Sequence, residues 1–185
     1  MAEEDLRQSP GQDEQIAQWN VFNADNSDLP ADDVLTVAAA DGALWVGTLG
    51  GGLARLADGQ WQVYTAANSD LPADDVLAVA VADGALWVGT GGGGLARLAD
   101  GQWQVYTAAN SDLPADNVEA LAAADGGLWV GTDSGLAKLA GGQWQVYTAA
   151  NSNLPHDSIR ALAADEGGLW VGTLGGGLAR LADGQ

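Results

Sequence analysis

The chain contains no cysteine, which excludes disulfides, thiolate catalysis and cysteine metal sites. Cysteine-free chains occur in both oxidising and reducing compartments, so none follows from this. Basic residues are scarce: 6 Lys and Arg stand against 25 Asp and Glu, for a net charge of −19. Such a surface repels phosphate backbones and anionic lipid, so neither nucleic acid nor membrane is an expected partner. It favours cations, basic partners and solubility. No apolar run approaches the ~20 residues of a membrane-spanning helix. The opening residues, MAEEDLRQSPGQDEQIAQ, lack the basic and apolar regions of a secretory signal. The sequence as written therefore fits the cytoplasm, or a chain that begins after a removed signal.

What the chain has instead is repetition. Trp19, Trp61, Trp103 and Trp144 open units of 42, 42, 41 and 42 residues. The first two units agree at 35 of 42 positions, so the period is a structural unit rather than a composition bias. Residues 1–17 are polar and acidic and read as a disordered tail, with a short helix conceivable near Asp13 to Gln18. Residues 18–185 read as one repeat domain, with units at 19–60, 61–102, 103–143 and 144–185. Near-identity of the units points to recent amplification or to design.

Each unit reads as four short strands. In the second, Trp61 to Thr65 alternates apolar and polar, the pattern of a half-exposed strand. Asn68 to Asp74 is a loop of turn formers. Val76 to Ala82, Leu86 to Val88 and Leu95 to Ala99 are short apolar runs ended by Asp83-Gly84, a glycine run and Asp100-Gly101. Asp-Gly between apolar runs signals a tight hairpin, because both turn residues take positive φ. Alanine favours helix by propensity, but the turn signals every 8 to 12 residues override it. Four-stranded units at this period are the blades of an all-β propeller. The small residues Ala78, Ala80 and Ala82 suit an inner strand near a crowded axis.

The pattern Leu71-Pro72-x-x-x-Val76, Gly84-x-Leu86-Trp87-x-Gly89-Thr90 and Gly93-Gly94-Leu95 resembles the two-component regulator propeller repeat. It recurs in all four units. The resemblance implies a ligand-binding sensor module of the kind found outside the membrane in hybrid histidine kinases, in rings that are typically seven-bladed.

The strand order is offset. The chain opens with a strand of the outermost type, residues 19–23, and its last unit stops where another such strand is due. The spare strand is expected to latch the last blade of its own or of a partner chain, since an open edge is an aggregation hazard. Four blades alone diverge by about 90° and eight by about 45°, and a wide wedge needs bulky side chains to keep faces packed at about 10 Å. These units are rich in Ala and Gly. The expectation is a homodimer closing one eight-bladed ring by strand exchange.

Candidate sites are few. The eight Trp recur at two repeat positions, which points to packing rather than ligand stacking. Asp32-Asp33, Asp74-Asp75, Asp116-Asn117 and Asp157-Ser158 precede the innermost strands and could hold Ca²⁺, but no calcium-loop spacing is present, so turn and solvent roles fit better. Glycine runs such as Gly47 to Gly52 lack the Lys-Ser or Lys-Thr of a phosphate loop. His156, the only histidine, has no motif around it. No catalytic, cofactor-binding or metal-ligating residue is expected, and no cofactor. The reading is a non-catalytic, self-assembling scaffold, with the sensor module as its alternative and an enzyme disfavoured by near-identical blades.

Overall fold

The computed structural model describes residues 18–182, among which there is no helix. Fifteen strands form four antiparallel meanders. The first blade comprises β1 (Val34–Ala40), β2 (Ala43–Thr48), β3 (Gly52–Ala57) and β4 (Gln60–Tyr64). The second comprises β5 (Val76–Ala82), β6 (Ala85–Thr90), β7 (Leu95–Ala99) and β8 (Gln102–Tyr106). The third comprises β9 (Val118–Ala124), β10 (Gly127–Thr132), β11 (Gly135–Ala140) and β12 (Gln143–Tyr147). The fourth holds only β13 (Ile159–Asp165), β14 (Gly168–Thr173) and β15 (Gly177–Ala182).

The expected turns are present. Asp83 and Gly84 take φ of 50° and 69°, and Asp58-Gly59 and Asp100-Gly101 follow the same signs. Such a turn matches the twist of the strands it joins. Each glycine run is the β2–β3 type of hairpin. In the first blade it is closed by the Thr48 hydroxyl, which donates to the Gly52 carbonyl at 2.9 Å. A Cβ at Gly52, where φ is +84°, would collide with the carbonyl of Tyr64, so this position requires glycine.

The inner strands β1, β5, β9 and β13 lie side by side in sequence, and no comparable packing joins β13 back to β1. The blades thus form an open arc. Apolar layers fill the three gaps. Between blades one and two, Leu53 meets Leu71, Val76, Leu86 and Val88, with Trp103 and Val105 of β8 against them. Leu95, Val118 and Val130 build the next layer, with Trp144 and Val146 of β12 against it. Leu136, Ile159 and Val171 build the last, without an outer-strand Trp and Val.

The proposed latch strand, residues 19–23, is not a strand in the single chain. Extended backbone becomes a strand only when a neighbour accepts its hydrogen bonds. Here Phe22 meets Trp61 of β4, so the segment lies beside the first blade, and it forms no ladder with β15. The expected tail, residues 1–17, and the helix near Asp13 to Gln18 fall outside the described residues except for Gln18.

Candidate functional site

The most varied part of each blade is the entry to its inner strand. A bulge sits there: in the ladder β1–β2, Val34 pairs with Thr48 and Thr36 with Gly47, leaving Leu35 unpaired. The same shift leaves Leu77, Glu119 and Arg160 outside the pairing in the other blades. A bulge bends the strand locally and re-aims one side chain. Four equivalent positions therefore carry two leucines, an acid and a base along the inner edge of the arc.

Glu119 and Arg160 form an ion pair between blades three and four, on side chains that are 19% and 44% exposed. The Asn117 amide donates to Glu119 Oε1 at 2.8 Å. Just before Arg160, Ser158 is buried and its hydroxyl has no hydrogen-bond partner. The Ser158 backbone N–H donates to His156 Nδ1 at 3.0 Å, so the histidine caps its own loop. These residues were not linked by the sequence pattern. The available signal was that positions 117, 119, 156, 158 and 160 are among those that depart from the repeat and cluster at the inner-strand entries of the third and fourth units.

The acidic pairs have structural work. The first member of each accepts a backbone N–H from eight residues earlier: Asp32 from Ala24, Asp74 from Ala66, Asp116 from Ala108 and Asp157 from Ala149, at 2.7–2.8 Å. The loop between is pinned again by Asn68, whose Oδ1 accepts from the Thr65 N–H and whose amide donates to the Val63 carbonyl. Among the described residues, no three His, Asp or Glu gather closely enough to hold a metal ion.

The tryptophans form aromatic ladders. Trp45 stacks on Tyr64 and Trp87 on Tyr106, with ring centroids 6.0 and 5.9 Å apart, and Trp129 lies 5.7 Å from Tyr147. Each tyrosine then meets the Trp of the next outer strand edge-on: Tyr64 with Trp103 and Tyr106 with Trp144, both at 5.8 Å. Arg55, Arg97 and Lys138 cover the outer faces of Trp45, Trp87 and Trp129. Burial pushes the phenols of Tyr64 and Tyr147 up, with Arg55 pulling Tyr64 partly back. Trp170 has no tyrosine beside it. Its indole N–H donates to Asp165 Oδ2 at 2.9 Å instead, and Arg180 lies over its ring.

Four-stranded antiparallel blades in an arc around a common inner edge define a β-propeller architecture. The family model of the two component regulator propeller matches residues 153–175, in the fourth unit, and the other units repeat a similar motif. Solved structures share the fold. The extracellular domain of BT3049 from B. thetaiotaomicron, assigned to a hybrid two component system, is 22% identical with a TM-score of 0.79, over 90% of this chain and 24% of that one. That of BT4673, from the same organism and assigned likewise, is 19% identical with a TM-score of 0.67, over 80% and 20%. The computationally designed protein Ika4 is 15% identical with a TM-score of 0.65, over 91% and 100%. The chain thus spans between a fifth and a quarter of the length of the two extracellular domains. At these identities the likeness is one of fold. No curated protein matches the chain in sequence. Among the described residues, no helix is long and apolar enough to cross a membrane.

Proposed function

We propose that this chain is a non-catalytic recognition module of the sensory-input kind, working outside the membrane, with its ligand site at the inner-strand entries. The observation that carries this reading is where the repeat breaks. Packing positions keep their residue or exchange one aliphatic for another, as Val76 and Val118 do with Ile159, while the bulge position changes in character from Leu35 and Leu77 to Glu119 and Arg160. A ring of identical blades offers a ligand no preferred orientation, and a local acid, base and unpartnered buried hydroxyl do. The family repeat and the extracellular two component neighbours support the sensory setting. Catalysis would need an oriented acid–base pair, and the exposed His156 is occupied with its own loop.

The test is a thermal-shift panel of sugars, amino acids and dicarboxylic acids on the intact protein. At least one should raise the melting temperature, since a ligand at 100 times its Kd adds about 2.7 kcal/mol. Glu119→Gln and Arg160→Ala should each abolish the rise. If nothing on the panel shifts melting, or if the shift survives both substitutions, the inner-edge site is wrong. Self-assembly is the second reading, favoured by the exposed apolar residues at both ends of the arc.

A further inference from the structure

The exposed large apolar groups of the described chain lie in its first and last blades and in residues 19–22, and for those at strand positions the repeat says what should cover them. In the first blade, Val34, Val37 and Leu44 are exposed, with Val37 at 60%. Their counterparts Val76 and Leu86 are buried by Leu53, Trp45 and Tyr64 of the preceding blade. In the fourth blade, Leu178 is 67% exposed, whereas its counterpart Leu95 is fully buried by the following blade. One end of the arc thus lacks a preceding blade and the other lacks a following one.

The outer edge tells the same story. Each filled gap holds a Trp and a Val from an outer strand, as Trp103 and Val105 do. The gap between blades three and four lacks them and keeps an opening of about 290 Å³ lined by Leu136, Tyr147, Leu154, Val171 and Leu181. The residues at the corresponding repeat positions are Trp19 and Val21, which are 85% and 68% exposed. Phe22 completes the match. It already meets Trp61 edge-on at 5.9 Å, as Tyr64 meets Trp103. Each tyrosine also stacks on the Trp of the blade it closes, and the Trp without such a partner is Trp170.

We infer that a second copy of this chain docks head to tail on the first, and that two such contacts close one ring of eight blades. Residues 19–23 of one copy add a strand to β15 of the other. Trp19 and Val21 fill the opening, Phe22 stacks on Trp170, and the first blade covers Leu178. The register of β7 with β8 pairs Leu98 with Trp103 and Arg97 with Gln104. Transferred to the contact, it sets Trp19 opposite Leu181 and Asn20 opposite Arg180. Backbone links between blades, such as the Gly52 N–H donating to the Asp74 carbonyl at 2.8 Å, have their counterparts in Gly177 and Asp32. The docking stands apart from the identity of any ligand at the inner edge.

The experiment is the solution mass of the full chain by light scattering and native mass spectrometry, with two sets of variants. The intact protein should run as two chains. Trp19→Ser with Val21→Ser and Phe22→Ser should run as one, with strand content retained, because these residues lie exposed in the single chain. Asn20→Cys with Arg180→Cys should give a disulfide-linked two-chain species under oxidation, with no native cysteine to compete. A mass of one chain for the intact protein, a mass of three or more, or a disulfide formed within one chain would each overturn the two-chain ring.

Discussion

Gly52 and Gly59 share a positive φ, at 84° and 75°, but not a neighbourhood. A Cβ at Gly59 meets nothing within 4 Å, whereas one at Gly52 strikes the backbone of the adjacent strand. Gly59→Ala should therefore cost about 1 kcal/mol, the ordinary penalty for alanine in the left-handed region. Gly52→Ala should cost about 4 kcal/mol, since the strand itself must move. Urea unfolding of both variants checks the difference. Asp165 gives a second prediction. It accepts the Trp170 indole and the Gly167 N–H and lies near Arg180, and these hold its pKa below the ordinary value, led by the indole bond. A lowered folded pKa adds stability that is present above the unfolded value and lost as pH falls through the folded one. The Trp170 indole proton resonance should therefore shift only below the usual carboxylate range. Asp165→Ala should remove that transition and leave the other Trp resonances in place.

Among elements, identical strands behave differently according to what lies beside them. Leu95 and Leu178 begin the same strand type, β7 and β15, yet one is buried and the other is exposed. In a chain kept single by the triple serine substitution at 19, 21 and 22, Leu95→Ala should cost about 3 kcal/mol through the cavity it leaves. Leu178→Ala there should stay within about 0.5 kcal/mol. Thermal denaturation of the two variants measures the contrast. Strand positions were legible in the sequence because apolar runs and Asp-Gly turns are local signals. Val76–Ala82 stands where the apolar run placed it. Residues 18–22 carry the same local pattern as Gln60–Tyr64 but form no strand in one chain, because pairing is not local. The Glu119–Arg160 pair was hidden for a related reason. Glu119 and Arg160 are 41 residues apart and meet only because blades three and four are neighbours. Asp74 reads as a turn former from its residue type, but its bond to the Ala66 N–H, eight residues earlier, is loop geometry that composition does not express.

The whole molecule sets two forces against each other. In the proposed two-chain ring, apolar end faces would draw copies together, while a net charge of −19 on each would drive them apart. The apolar contact is short-ranged and insensitive to modest salt. The repulsion acts across the ring and is screened over about 10 Å at 0.1 M salt and about 3 Å at 1 M. Added sodium chloride should therefore strengthen association, the reverse of its effect on a contact made by opposite charges. The Kd for two chains should fall at least several-fold between 0.05 and 0.5 M salt (roughly the range over which screening becomes short). Sedimentation at a series of protein and salt concentrations measures it. A Kd that rises with salt would mean that ion pairs, and not the exposed leucines, valines and tryptophans at the ends of the arc, hold the copies together.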